Sequence, residues 1–114
     1  MTDYKQELAE VMANNKNLFS STGATGKAFL NVHDEAIKAG ALDSKIKALE
    51  ALAIAITIRC EGCIIQHVQG AIKLDATRDE IVETINVAIM MGGGPSTVYG
   101  GKALACADQL LGDK

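Results

Sequence analysis

The chain has 114 residues, a formal net charge of −3, 48% apolar residues and 22% charged residues. We therefore expect one globular domain over residues 1–114 with a single core. A mildly acidic chain without a lysine and arginine cluster lacks the electrostatic footprint of a nucleic-acid-binding protein. No apolar run reaches the ~18 residues that would span a bilayer, and the N-terminal residues do not resemble a signal peptide. These features predict a cytoplasmic protein that binds neither nucleic acid nor a membrane. Because thiols stay reduced in the cytoplasm, we do not expect the three cysteines to form a disulfide scaffold.

The first half of the chain predicts three helices, over residues 4–17, 26–39 and 44–59. The first two have apolar side chains at helical spacing, namely Tyr4, Leu8, Val11 and Met12 in one and Phe29, Val32, Ala36 and Ile37 in the other. The intervening SSTGATG stretch, residues 20–26, predicts a loop by its composition. Residues 44–59 are apolar on nearly all faces, which is typical of a helix buried in a core or a subunit interface. Part of this segment, residues 54–58, also alternates as a strand would.

The second half predicts three more helices, one from the cysteine pair to about residue 74, one over 78–91 and one over 95–110. Thr77 and Glu80 form a capping-box pattern that begins the middle helix. The last helix contains Gly100 and Gly101, each of which costs roughly 1 kcal/mol relative to alanine, so we expect a close helix–helix contact there. The whole pattern predicts an all-α protein, a bundle of about six helices.

The most informative segment is Arg59–Cys60–Glu61–Gly62–Cys63, followed by His67 one helical turn later. At 100° per residue, Cys60, Cys63 and His67 fall within about 60° of arc and share one face of a helix. If the preceding helix ends near Arg59, both cysteines lie at a new helix N-terminus, where the helix dipole and free N–H groups favour a thiolate. His67 can then accept a thiol proton. A thiolate, a second thiol and a proton acceptor are the parts that thiol redox chemistry requires.

Other interpretations of these residues stay open at this stage. Cys60, Cys63 and His67 could supply three ligands of a metal site, with Cys106 as the nearest fourth, or the cysteines could be ordinary core residues, as we expect of Cys106. His33, which has no partner motif, is expected on the surface or at an interface.

Glu50 is the acidic residue within the apolar third helix. A buried carboxylate without a partner is costly. Glu50 is therefore expected to form a relay with His67, to pair with Lys47, or to face solvent.

Three stretches of this sequence resemble the AhpD-like branch of the carboxymuconolactone decarboxylase family. They are Gly40-Ala-Leu-Asp-Ser-Lys-Ile-Lys, then Ala53-Ile-Ala-Ile-Thr-Ile-Arg-Cys-Glu-Gly-Cys with His67, and Met91-Gly-Gly-Gly-Pro. The resemblance covers about residues 25–110. It implies an all-helical fold that assembles as a homotrimer or homohexamer. It also implies a thiol-dependent peroxidase or disulfide reductase. For such chemistry at these residues we expect a peroxide or disulfide substrate and an external dithiol donor, with no bound cofactor and no metal.

The same resemblance implies roles for individual residues. Cys63 becomes the sulfenic acid, Cys60 is the proton donor and resolving partner, and His67 belongs to the proton relay. The family pattern also has a glutamate twelve residues before the first cysteine, where this chain has Ala48. Glu50 lies two residues later and points about 200° away on a helix, so its part in the relay is an open question.

We therefore expect an antioxidant thiol oxidoreductase with Cys60, Cys63, His67 and Glu50 as candidate catalytic residues. Two other functions are considered. A lactone-decarboxylating lyase would have no need of paired thiols, and a non-enzymatic oligomeric scaffold would account for the loss of the relay acid at Ala48.

Overall fold

The structure is a computed structural model and describes residues 1–112, which fold into helices joined by short connections. Six helices follow one another in this range, and it contains no strand: Tyr4–Thr22 (α1), Ala24–Ile37 (α2), Ser44–Thr57 (α3), Glu61–Lys73 (α4), Arg78–Gly92 (α5) and Gly94–Leu111 (α6). The all-α prediction is confirmed, and the alternative of a strand within residues 54–58 is wrong. In residues 1–112, no helix combines the length and apolar character needed to cross a membrane.

The predicted loop over residues 20–26 is wrong, because a single residue separates the first two helices. Gly23, with φ 59°, lies alone between α1 and α2. The serines that suggested a loop are accommodated in the last turn of α1, where the hydroxyls of Ser20 and Ser21 donate to the carbonyl oxygen of Asn17 at 3.0 and 2.8 Å. Such bonds to the preceding turn satisfy the hydroxyl of a serine that lies within a helix, where serine is otherwise less favoured than in turns.

The starts of α3 and α5 follow directly from capping residues in the sequence. The carboxylate of Asp43 accepts a hydrogen bond from the Ile46 N–H at 2.8 Å. Thr77 and Glu80 form the reciprocal capping box that was predicted, with bonds of 3.1 and 2.8 Å. These caps satisfy N–H groups that the first turn of a helix leaves free.

The apolar α3 lies at the centre of the fold and packs against α2, α4, α5 and α6. Its fully buried residues, Leu52 and Ile56, meet the buried faces of the neighbouring helices. Several buried positions are alanines: Ala48, Ala55, Ala71, Ala88, Ala103 and Ala107. Small side chains let helices approach closely, so the shortage of large aromatic residues is matched by close packing.

Not every apolar side chain on the predicted helices is buried. Phe29, Val32 and Val98 are 62%, 63% and 61% exposed. Within α2 the buried residue is Gly26, because among the helices of residues 1–112 the neighbours of α2 are α1 and α3. Periodicity identifies the apolar face of a helix but does not tell whether the same chain or another one covers it.

Candidate thiol redox site

The two cysteines lie together at the start of α4. Cys60 is the N-cap residue, and its sulfur accepts a hydrogen bond from the Cys63 N–H at 3.3 Å. A disulfide joins the two residues, whose Cα atoms are 5.2 Å apart, within the usual range for disulfides. Both cysteines are partly exposed. The expectation that they meet at a helix N-terminus is confirmed, with the two sulfurs close enough to be bonded to each other.

A salt bridge partly neutralises the acidic residue inside the cysteine pair. Glu61, which directly follows Cys60, accepts from the Lys102 ammonium of α6 at 2.9 Å. This hydrogen bond raises the pKa of Lys102 above its usual range. A carboxylate next to a thiol disfavours the thiolate, and a lysine paired with that carboxylate opposes the effect. Lys102 was not predicted, because the packing of α6 on α4 brings it to the site.

His67 lies one turn after Cys63 on the same face of α4, as the spacing predicted. The ring is half-buried. Burial lowers the pKa of His67 below its ordinary value of 6.5, and the neighbouring charge of His33 lowers it further. The imidazole is therefore neutral at pH 7 and has a nitrogen free to accept a proton.

His67 also lines a groove of about 350 Å³ between α2, α3 and α4. Its polar lining residues are His33, Lys47, Glu50 and His67, and its apolar lining comes from Ala36, Ile37, Ala51 and Ile54. Glu50 is exposed on this groove, and so faces the same space as His67. The groove is mainly apolar with a few converging polar groups, which is the usual character of a small-ligand site.

Glu50 was expected to form a relay with His67, to pair with Lys47, or to face solvent. Lys47 donates to the carbonyl oxygen of Lys38 at 2.6 Å, so its ammonium is directed to the backbone. Glu50 instead faces solvent on the groove that His67 lines. Ala48 is 3% exposed and does not line this groove. His33, expected on the surface, is exposed and lies 3.2 Å from Asp34, but its place beside His67 was not predicted, since it depends on how α2 packs.

Cys106 is separate from this chemistry, as expected. It is fully buried in α6, and burial raises its pKa to about 11, with a smaller contribution from Glu7. A thiol in this environment stays protonated and unreactive at neutral pH. Among residues 1–112, no three His, Cys, Asp or Glu side chains are placed to bind a metal ion together.

The chain is similar in sequence to bacterial proteins over most of its length. An uncharacterized protein of Cupriavidus necator is 36% identical over 109 residues, covering 96% of both chains. An uncharacterized protein from the cox locus of Paracoccus denitrificans is 40% identical over 85 residues, covering 75% of this chain and 77% of its own.

Two solved structures are similar in fold. The apo structure of a carboxymuconolactone decarboxylase family protein from Legionella pneumophila has a TM-score of 0.89 at 35% identity, covering 93% of this chain and 95% of that chain. A family protein from Thermotoga maritima, for which involvement in an antioxidative response has been suggested, has a TM-score of 0.84 at 24% identity, covering 93% of this chain and 91% of that chain. At that identity the second likeness shows the fold alone. The profile of the carboxymuconolactone decarboxylase family matches residues 23–108, and with these relatives it establishes that the chain belongs to that family.

Proposed function

We propose that this protein is a thiol-dependent oxidoreductase that reduces a peroxide or a disulfide by cycling the Cys60–Cys63 pair. The observation that carries the proposal is the pairing of these two cysteines at the N-terminus of α4, with neutral His67 one turn away. A helix N-terminus favours a thiolate, and a nearby neutral imidazole can take the proton that ionisation releases.

In the first step, His67 accepts the Cys63 proton and the Cys63 thiolate attacks one oxygen of a hydroperoxide. The S–O bond forms as the O–O bond breaks, which leaves a sulfenic acid on Cys63. The departing alkoxide takes the proton back from His67 and leaves as an alcohol. With a disulfide substrate, the same attack gives a mixed disulfide and releases a thiol.

In the second step, the Cys60 sulfur attacks the Cys63 sulfur and the S–O bond breaks. The proton lost by the Cys60 thiol joins the leaving hydroxyl, which departs as water as the disulfide forms. With the mixed disulfide, the same attack breaks the bond to the substrate sulfur, which takes that proton and leaves as a second thiol. The Cys63 N–H that contacts the Cys60 sulfur supports this step, because hydrogen bonding to a thiolate stabilises the attacking form. An external dithiol then reduces the disulfide and is itself oxidised. This donor and the substrate are proposed by chemical class.

Glu50 is proposed as an auxiliary group that stabilises the imidazolium of His67 across the groove that both residues line. It would act in place of the family's relay glutamate, whose position is taken by buried Ala48. Replacing Glu50 by glutamine should slow the reaction with peroxide several-fold. Glu83→Gln is the matched control, since Glu83 is exposed on α5 and does not line the groove.

The direct test treats the reduced protein with less than one equivalent of peroxide and maps the oxidised cysteines by mass spectrometry. We expect a Cys60–Cys63 disulfide in the native sequence, and in Cys60→Ser a sulfenic acid on Cys63 that dimedone traps. Cys106→Ser is the control and should react as the native protein does. Slow loss of free thiol without a Cys60–Cys63 bond would refute the proposal, and retention of lactone decarboxylation in a protein lacking both cysteines would favour the lyase alternative.

We further propose that the protein is a homotrimer or homohexamer. Large apolar side chains remain exposed on the single chain, among them Ile54, Ile58, Met90 and Met91 at 61%, 64%, 73% and 72% exposure. Exposed apolar groups of this size commonly mark protein interfaces. Light scattering should give three or six times the chain mass, and Ile58→Glu should reduce it while Thr97→Glu, at an exposed polar position, should not. A monomer at micromolar concentration would contradict this proposal.

A further inference from the structure

The residue before the cysteine pair adopts a backbone conformation that arginine rarely takes. Arg59 has φ 62°, in the left-handed region, which costs an ordinary L-residue free energy that glycine does not pay. The conformation belongs to a Schellman motif that ends α3: the Arg59 N–H donates to the Ile56 carbonyl at 3.1 Å and the Cys60 N–H donates to the Ala55 carbonyl at 3.1 Å.

Cys60 is therefore held by two helices at once. Its N–H completes the C-terminal motif of α3, and its sulfur caps the N-terminus of α4 through the Cys63 N–H. The left-handed turn at Arg59 makes this double role possible, since it reverses the chain within one residue and directs Cys60 to the start of α4.

The end of α4 provides an internal comparison. Asp75 has φ 66°, and the same two bonds recur there, from the Asp75 N–H to Ile72 and from the Ala76 N–H to Ala71, both at 3.0 Å. Aspartate enters the left-handed region more readily than most residues. The two turns therefore have the same geometry but differ in two respects. The turn at Arg59 directly precedes the disulfide, and its left-handed position is occupied by a residue that adopts this conformation less readily than aspartate does.

We propose that Arg59 is a positioning residue whose left-handed conformation makes the Cys60–Cys63 disulfide easier to reduce. In the oxidised protein the sulfur–sulfur bond fixes Cys60 beside Cys63 and, together with the two backbone bonds that end α3, holds Arg59 in this turn. Reduction by a dithiol breaks that bond, and Arg59 can then return to negative φ while Cys60 moves away from Cys63. The free energy gained in this relaxation favours the dithiol form, and the inference rests on the proposed thiol redox function.

Glycine at this position would remove the tendency to relax, so the two thiols would stay positioned for oxidation. Arg59→Gly should therefore shift the thiol–disulfide equilibrium toward the disulfide by about threefold to tenfold, where tenfold corresponds to about 30 mV for a two-electron couple. Arg59→Ala removes the charge but keeps the unfavourable conformation, and should stay within about twofold of the native protein. Arg59→Asn, which tolerates the left-handed region, should shift in the same direction as glycine but less.

The experiment equilibrates the full chain in dithiothreitol redox buffers, quenches by alkylation, and measures the Cys60–Cys63 disulfide fraction by mass spectrometry, with folding checked by circular dichroism. Asp75→Gly is the matched control and should leave the equilibrium unchanged. The inference is overturned if Arg59→Gly matches the native protein, if Arg59→Ala shifts as far as Arg59→Gly, or if Asp75→Gly shifts equally. No peroxide is used, so a measurable potential without these differences refutes the inference alone. Failure of the native pair to form a disulfide in any buffer refutes the proposed function as well.

Discussion

Two adjacent glycines in α6 should respond in opposite ways to the same substitution. A Cβ placed on Gly100 would lie 2.7 Å from Cγ2 of Ile85 in α5, whereas a Cβ on Gly101 would meet nothing within 4 Å. Ile85 is 7% exposed, and its branched side chain has little rotamer freedom with which to move away. The close helix contact that the sequence predicted therefore exists at Gly100 but not at Gly101.

The expected magnitudes follow from these distances. Alanine in place of a helical glycine gains about 1 kcal/mol from helix propensity, and Gly101→Ala should keep that gain. In Gly100→Ala the overpacking cost of about 1–3 kcal/mol offsets or exceeds it. Gly101→Ala should therefore be about 1–3 kcal/mol more stable than Gly100→Ala, because the propensity gain is common to both variants.

Urea unfolding at one fixed protein concentration measures the difference in the free energy of unfolding between the two variants. Circular dichroism is the signal to follow, because the chain has no tryptophan for fluorescence. Ile85→Leu removes the contacting Cγ2 methyl while keeping side-chain volume, so it should recover stability in the Gly100→Ala background more than it changes the native protein. Equal stability of the two glycine variants, with no coupling to Ile85, would refute the packing explanation.

Three further predictions concern charge and burial at the site. Folding lowers the pKa of His67, so the unfolded chain binds more protons and the free energy of unfolding should fall as pH drops through 6.5. Urea titrations should show a weaker fall in His67→Gln. An identical pH profile in the two proteins would contradict this prediction. Lys102→Gln leaves Glu61 unpaired beside the cysteines and should slow alkylation of the reduced cysteine pair at pH 7. The control is Lys16→Gln, which changes an exposed lysine of α1 and should not alter this rate. Equal alkylation rates in both variants would argue against the charge effect. Cys106→Ala should leave peroxide-driven disulfide formation unchanged. It should lower the free energy of unfolding by about 1 kcal/mol, because the buried sulfur fills core space. Slower disulfide formation in this variant would show that the buried thiol takes part in the reaction.

Local signals in the sequence were enough to predict the helices and the cysteine pair. The Thr77–Glu80 capping box acts within four residues, and the alignment of Cys60, Cys63 and His67 depends only on helical geometry. Such features need no knowledge of how helices pack, so the predicted helix ends lie within two residues of the observed ones except at the end of α1.

The features that the sequence did not predict depend on contacts between distant helices. Lys102 reaches Glu61 from α6, and His33 approaches His67 from α2, so neither is visible in the spacing of the α4 motif. The predicted loop over the SSTGATG stretch is wrong for a different reason. Ser20 and Ser21 lie inside α1, where their hydroxyls donate to the Asn17 carbonyl oxygen, so a composition typical of loops is here accommodated in a helix. Exposed Phe29 shows that an apolar face can be identified without its partner being known.

The most direct test of the account is the pH dependence of Cys63 alkylation in the reduced Cys60→Ser variant, with and without His67→Ala. Serine at position 60 can keep the N-cap role, so Cys63 is measured at an intact helix start. We predict a midpoint well below the free-cysteine value of about 8.5, rising when His67 is removed. A midpoint near that value, unchanged by loss of His67, would contradict the account.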